Sequence, residues 1–446
     1  MAGTRKTIVF FNRAYNDLDV QLPLIDAFAQ DSRFSVRVVA YPCDGEISVP
    51  DVHEAVSYMK HRMGVTFESL TDSAYAPYVL KVLYRIQSLA MRWRKKTSGI
   101  FSSIPARTLN IFARRSISFF LRSLKSDWMA HTVEEWCVSA AVVDEAFAQP
   151  GRSFFLDSVL SALCQNSVPC YMILTGHRVY KKESPTGSAP PPYRKTSARL
   201  FFVPNTLNAS IYASLFPGET LLAAGNLRMD RSWLRKLSEE VLAPPFYDPS
   251  ASGRLPASGE IKIVVMLSKL SYGVDTQALR NTLSTLGRLS GVVCAIKPHT
   301  RGMKFDFMSR EEMGRSFPVD NTPSTILMNW ADLVLFTGSS VVFHAALLGK
   351  PVGFLKYCQS LETIFDAAPA CLCYESLEGL IADIEEFRQT RRPFLSDAKL
   401  KASRDWLNHE VYNADSSGLT AQAYKRIILE DMSALAQSGI CGTPIS

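Results

Sequence analysis

The chain has nine cysteines but no Cys-x-x-Cys pair and no regular spacing among them. That excludes zinc fingers and ribbons, which need paired thiolates. Cys164 with Cys170, and Cys371 with Cys373, sit in apolar contexts and read as buried thiols of a reducing compartment. No uninterrupted apolar run is long enough to cross a bilayer. The basic N-terminus passes straight into a strand, and its apolar run is too short for a signal peptide. A cytoplasmic protein is expected, with any membrane contact peripheral at the inner face. A P-loop signature is absent, and no Gly-x-Gly-x-x-Gly follows a strand, which argues against the usual dinucleotide fold. No acidic cluster announces a divalent metal, so the expected metal content is none. No repeat of solenoid length occurs.

One absence is local. Between Asp72 and Asp127 there is no acidic residue, whereas eleven Lys and Arg residues occur there, from Lys81 and Arg85 to Arg122 and Lys125. Tyr84, Trp93, Phe101, Phe112, Phe119 and Phe120 are interleaved with them at helical spacing. The pattern suits an interfacial helix on an anionic membrane. It equally suits a helical pair with one face in the core and a basic face in solvent. Nucleic acid would use the same ingredients, but no RRM, KH or helix-turn-helix signature accompanies them, and none is expected as a partner.

What is present describes a globular chain. Its 446 residues are 47% hydrophobic and 20% charged, enough for two domains with full cores. The most informative stretch is 332–356. A short apolar strand at 333–336 breaks at Thr337-Gly338-Ser339-Ser340, an apolar helical run follows to 348, Gly349-Lys350-Pro351 stops it, and a second strand begins at 352. This is the grammar of a parallel βαβ unit. Hydroxyls and free N–H groups at the start of its helix would meet a phosphate, or Ser339 or Ser340 would simply cap the helix.

In chain order, strands are expected at 6–11 and 34–40 around a helix at 22–29. Asn12, Arg13 and Asn16–Asp19 form a polar loop between them, either a place to meet substrate or plain solvated chain. A strand from 137 ends in Asp144-Glu145. A helix at 154–164 follows, then a strand at 168–174 ending in Thr175-Gly176-His177. Glu145 beside His177 suits acid–base work. Residues 181–197, rich in Pro, Ser and Lys, read as a mobile loop and a lid. A Pro- and Ser-rich linker at 244–259 separates an N-terminal domain, 1–243, whose insertion spans about 73–126, from a C-terminal one, 260–400. The 401–446 tail looks helical and long enough to cross back to the first domain. In the second half, Ser268-Lys269, Lys297-His299-Arg301 and Thr337–Ser340 fall at strand ends on one sheet edge. Cations, an imidazole and a helix start suit a nucleotide leaving group without a metal. His344 reads as a packed histidine, and Lys350 as a helix-end charge.

Two α/β halves with a phosphate-collecting edge in the second resemble the GT-B glycosyltransferases, whose two Rossmann-like domains face each other across a cleft. The segment ADLVLFTGSSVVFHAALLGKPV is similar to that class's donor motif. IKPHTRG resembles the Lys-Pro-His element of capsule and teichoic-acid transferases, and GNLRMD the Gly-Asn-x-Arg-x-Asp turn of that group and of UDP-GlcNAc 2-epimerases. The nearest likeness is to bacterial β-Kdo transferases of capsule and O-antigen synthesis. It implies a CMP-Kdo donor, no other cofactor, and a glycolipid or oligosaccharide acceptor at an anionic membrane surface. Asp230 would be the nucleophile of a retaining double displacement, and Glu145 the acid/base. Lys297, His299, Ser339 and Ser340 would hold the phosphate, and Arg228, with Asn226 beside it, the sugar carboxylate. His177-Arg178 stands where the relatives usually show His-Gly, which leaves the role of His177 open. CDP-glycerol phosphotransfer and UDP-sugar 2-epimerisation are the alternatives within the fold, and a non-catalytic scaffold the alternative outside enzymes.

Overall fold

Short runs of aliphatic residues buried on both faces form the central strands, the signature of parallel sheets covered by helices. A computed structural model describes residues 5–12, 15–40, 53–69, 73–96, 104–123, 127–145, 154–174, 176–181, 196, 198–248, 255, 260–299, 305, 307–319 and 322–438. The chain divides into two compact units, one of Met1–Thr175, Pro191–Leu237 and Leu419–Ser446, the other of Gly176–Pro190 and Ser238–Gly418.

The first unit runs β1 (Lys6–Asn12), α1 (Tyr15–Ala29), β2 (Phe34–Ala40), α2 (Glu54–His61), β3 (Thr66–Ser69), α3 (Tyr78–Lys96), α4 (Ile104–Ser123), α5 (Asp127–Glu135) and β4 (Val138–Asp144). It continues through α6 (Phe154–Gln165), β5 (Cys170–Ile173), β6 (Leu200–Val203), α7 (Thr206–Leu215), β7 (Leu221–Ala223) and α8 (Arg231–Lys236). Its seven strands pair in parallel in the order β3-β2-β1-β4-β5-β6-β7. Alternation along the strands separates two faces. Val9, Val143, Met172 and Phe201 pack with Leu80, Leu83, Ile117 and Met129 of α3, α4 and α5. The opposite face carries Phe10 against Phe28 of α1, ring centroids 6.3 Å apart, and Phe202 stacked on Tyr424 at 4.3 Å.

The second unit runs β8 (Ile261–Met266), α9 (Thr276–Arg288), β9 (Val292–Lys297), α10 (Arg310–Met313), β10 (Phe317–Pro318), α11 (Ser324–Trp330), β11 (Leu333–Phe336), α12 (Val342–Leu347) and β12 (Val352–Leu355). Then come β13 (Leu372–Tyr374), α13 (Leu377–Thr390) and α14 (Asp397–Tyr412), while α15 (Thr420–Gln437) rejoins the first unit. The six-stranded parallel sheet has the order β10-β9-β8-β11-β12-β13. Ile263, Val265, Leu335 and Ile296 form its core with Leu279, Leu283 and Leu286 of α9. Asp275 starts α9 by accepting from the Gln277 and Ala278 amides.

Several expectations shift. The helix expected at 22–29 begins at Tyr15 and takes in Asn16–Asp19, so that stretch is not a loop. Its Asn and Asp residues favour a helix start, Asp17 lying in the first turn. The tail holds two helices separated by Asn413 and Ala414 in left-handed backbone, φ 51° and 67°, and α14 stays with the second unit. The chain changes unit at four points, one of them Leu237–Ser238, and most of 244–259 lies outside the described residues. Cys170 is buried, but Cys164 and Cys373 are exposed: the first lies on the outer side of α6, the second alternates outward on β13. Among the described residues, no helix is long and apolar enough to cross a membrane.

Candidate functional site

In each sheet, strand order reverses once, between β1 and β4 and between β8 and β11. Ligands of open α/β sheets sit outside the carboxyl ends of the strands at that point. In the second unit, β9, β8 and β11 are adjacent and parallel, so their carboxyl ends share one edge about 10 Å wide. Those ends carry Lys297-Pro298-His299, Ser268-Lys269 and Thr337–Ser340. Three groups distant in sequence are thus brought to one edge, and they divide into a floor and a face.

The floor is buried and internally bonded. The Ser268 and Thr337 hydroxyls lie 2.9 Å apart, and the Ser268 amide donates to Thr337 Oγ1 at 3.2 Å. Gln359 Nε2 donates to the Thr337 carbonyl at 2.7 Å, and the Tyr180 hydroxyl to the Gly338 carbonyl at 2.9 Å. Gly338 has φ +110°, and a Cβ there would stand 3.0 Å from the Tyr180 hydroxyl, so the turn requires glycine. Burial pushes the Tyr180 phenol up to about 12, keeping it a donor. The Lys297 ammonium, also buried, donates to the Thr322 carbonyl at 2.9 Å. Ser268, Thr337, Gly338 and Lys297 therefore shape the edge through these bonds, while the Lys297 ammonium, with three N–H donors, spends one on Thr322.

The face consists of partly exposed groups. Lys269 lies with its ammonium 5.2 Å from the Tyr272 ring centroid, and His299, Ser339 and Ser340 are half-buried. The Ser339 hydroxyl accepts from the Val341 amide at a long 3.4 Å, and neither serine caps α12, whose N-cap is Val341. Arg301 lies outside the described residues. His344 is buried inside α12 as a packed side chain. Lys350 donates to the Asn329 and Ala331 carbonyls, both at 2.9 Å, closing the end of α11. Desolvation lowers its pKa from the ordinary lysine value.

His177 takes a different place from the one expected. After β5 the chain leaves the first unit, and Gly176–Lys181 joins the second. There the Lys181 amide donates to the Glu362 carbonyl and the Ile364 amide to the Val179 carbonyl. The His177 ring bonds Glu410 of α14 through Nε2 at 2.7 Å and packs 4.6 Å from the Phe343 ring. Its side chain is fully buried. Glu145 stays in the first unit, half-buried just past the end of β4. Within the second unit, backbone pairing to 362–364 holds the histidine, and Glu410 is a partner of its ring. Residues 182–195 and 197, the expected lid, lie outside the described residues.

The Gly-Asn-x-Arg-x-Asp turn is occupied by α15. Asp230 is fully buried: Oδ1 accepts from the Trp233 amide at 2.9 Å and the Ser232 hydroxyl at 2.6 Å, and Oδ2 from the Ala421 amide at 2.8 Å. It caps α8 and anchors the first turn of α15 at once. Each carboxylate oxygen thus accepts at least one hydrogen bond within the first unit. Gly225, φ +93°, abuts Thr420, and its carbonyl accepts the Tyr424 hydroxyl at 2.9 Å. Asn226 is buried. Arg228 pairs with Asp19 at 2.6 Å. The sequence does contain an Asp-x-Asp, Asp17-Leu18-Asp19, but Asp17 is buried and Asp19 holds Arg228. Among the described residues, no three His, Cys, Asp or Glu side chains gather as metal ligands.

Sequence reasoning missed Tyr180 and Gln359, which hold the Thr337-Gly338 turn from remote segments, and Glu410, which bonds His177. It also missed Gln21. The Asn12 and Gln21 amides are buried, and none of their nitrogen and oxygen atoms has a hydrogen-bond partner among the described residues. Asn12 ends β1 at the first sheet's reversal point, beside the strand that ends in the buried Asp144.

No protein-family model matches the chain, and no curated protein resembles it in sequence. Solved structures do. A UDP-GlcNAc 2-epimerase from Neisseria meningitidis bound to UDP-GlcNAc superposes with a TM-score of 0.54 at 11% identity, over 95% of this chain and 100% of that one. S. aureus MnaA with UDP gives 0.51 at 12% identity, covering 99% of both chains. A structure of the wall teichoic acid polymerase TagF gives 0.50 at 13% identity, over 96% of this chain and 89% of that one. At such identities the likeness establishes the fold: two parallel-sheet α/β units of the GT-B kind, with a C-terminal helix returned to the first.

Proposed function

We propose that the protein is a nucleotide-sugar-dependent enzyme that binds the nucleoside phosphate on the β9-β8-β11 edge of its second unit. The observation that supports this reading is that Lys269, His299, Ser339 and Ser340 stand just past the ends of three neighbouring strands at the reversal point of that sheet, where Tyr180 and Gln359 bond the Thr337-Gly338 turn. When the bond from sugar to phosphate breaks, negative charge grows on the phosphate. An ammonium, an imidazole and hydroxyls fixed around it offset that charge without a metal ion. Fixing them beforehand matters because groups that must reorganise during the reaction stabilise it less.

For the chemistry, the reading is glycosyl transfer from a CMP-linked ulosonic acid such as CMP-Kdo to a lipid-linked or oligosaccharide acceptor. The KPH and donor-motif resemblances support it. Asp230 is assigned a structural role, so a covalent intermediate on that residue is no part of the proposal. Glu145 serves as the base that accepts the acceptor hydroxyl's proton. The Asn12 and Gln21 amides, without a hydrogen-bond partner among the described residues, are suited to sugar hydroxyls, which both donate and accept. Arg228 could meet a sugar carboxylate only by sharing or leaving Asp19. A second reading, UDP-sugar 2-epimerisation, is favoured by the superposition on two structures described as binding UDP-GlcNAc or UDP.

A thermal-shift panel of CMP, CDP, UDP and GDP against the wild type and His299→Ala tests the reading, since a ligand of the native state raises its melting temperature by mass action. A shift with CMP that the variant loses supports the transferase, and a shift with UDP alone favours the epimerase. No shift with any nucleotide sinks both.

A further inference from the structure

The α3–α4 hairpin presents apolar stripes on both its sides. Its inner stripe, with Leu80, Leu83 and Tyr84 on α3 and Ala113 and Ile117 on α4, is buried against the first unit's sheet. An ordinary surface helix would be polar on the opposite side. Here the outer side carries Leu89 and Trp93 on α3, 62% and 46% exposed, and Phe112 and Phe119 on α4, 60% and 65% exposed. Arg85 and Arg115, also exposed, fall in the same outward rows, one helical turn from Leu89 and from Phe112 and Phe119 respectively. The charge of the segment is one-sided. Its eleven basic residues between Asp72 and Asp127 exceed the whole chain's net charge of +7, so the remainder of the protein is slightly acidic.

We propose that the outer face of the α3–α4 hairpin docks this protein onto an anionic lipid surface. Large apolar side chains enter the acyl boundary, Trp93 sits at headgroup depth, and Arg85 and Arg115 remain with the phosphates. The all-basic composition selects the occupant. A second copy would press these cations together at a dry contact, whereas an anionic bilayer neutralises each of them and also takes up the large apolar side chains beside them. No base-reading signature accompanies the patch, and its exposed groups are aliphatic as well as aromatic, which suits acyl chains better than stacked bases. This inference goes beyond the nucleotide reading and needs no donor, so either can fail alone.

The test is flotation of the full chain with vesicles of phosphatidylcholine alone or equimolar with phosphatidylglycerol. The expected result is binding to the anionic vesicles only, weakened by salt. Replacing Trp93, Phe112 and Phe119 together by Ala should weaken partition by on the order of a hundredfold or more. Arg85→Glu with Arg115→Glu should weaken it by at least about tenfold. Both variants alter exposed positions and should keep the wild-type melting temperature. If one misfolds, quenching of wild-type tryptophan by brominated lipid, reduced in Trp93→Phe, reads insertion directly. Absence of flotation with anionic vesicles, flotation untouched by both variants, or preferential binding of a nucleic-acid duplex through the same residues would overturn the proposal. So would self-association abolished by the triple variant without any vesicle binding.

Discussion

Replacing Asp230 by Ala separates a structural carboxylate from a chemical one. The substitution removes acceptors from the Trp233 and Ala421 amides at 2.9 and 2.8 Å and from the Ser232 hydroxyl at 2.6 Å. Losing an N-cap costs about 1 kcal/mol. Leaving the buried Ala421 amide without its charged acceptor adds roughly 1–3 kcal/mol. Together the first unit should lose about 3 kcal/mol of protection where α8 meets α15, equivalent to on the order of a hundredfold faster opening. Hydrogen-exchange mass spectrometry of peptides covering 227–236 and 419–424 reads this locally, which suits a protein of two units better than one global midpoint. Asp230→Asn keeps one carbonyl oxygen and turns an amide donor toward one of the two N–H groups, so it should be nearly as disruptive. A catalytic nucleophile predicts the reverse, because such sites are seldom optimised for stability. Unchanged exchange in Asp230→Ala, with activity abolished, would refute the cap assignment.

Gly225→Ala should destabilise the same junction by about 1–3 kcal/mol, measured by urea unfolding, since φ +93° strains any side chain and the new Cβ would lie 2.9 Å from Thr420 Oγ1. Asp31 is held well below the usual carboxylate range, chiefly by its hydrogen bond from Arg33 and further by Lys425 of α15. A depressed folded-state pKa contributes stability above the ordinary aspartate value of about 3.9, lost as pH falls toward the folded value. Exchange protection of α15 should therefore decline below about pH 4, and Asp31→Asn should lack that pH-dependent part. Tyr180→Phe removes the donor to the Gly338 carbonyl. It should weaken nucleotide affinity about three- to tenfold by calorimetry. Equal affinity would show that the turn holds its shape without Tyr180.

Much of the fold was legible because parallel strands buried on both faces read as unbroken aliphatic runs. The strands at 34–40 and 333–336, and the one that begins at 352, stand where the sequence put them. Less legible were short strands such as Leu372–Tyr374, whose three residues give no periodicity, and the helix start at Tyr15, hidden by polar residues and by Pro23. The second unit's edge was readable from strand ends alone. What holds that edge was not: Tyr180 and Gln359 reach the turn from 158 and 22 residues away, a relation only the tertiary fold creates. Asp230 shows the same limit. A Gly-Asn-x-Arg-x-Asp turn looks alike whether it faces substrate or receives a helix, and its partner Ala421 lies 191 residues away. His177 was expected to stay with the strand preceding it, but its partner Glu410 lies 233 residues on.

The account's central claim is that the β9-β8-β11 edge of the second unit holds a nucleoside phosphate. Titration calorimetry of CMP, CDP and UDP into the wild type, His299→Ala and Lys269→Ala measures it most directly. The account predicts saturable binding of at least one nucleotide, weakened about tenfold or more by either substitution while the melting temperature without ligand is unchanged. Absence of binding by every nucleotide, or binding indifferent to both substitutions, would contradict it.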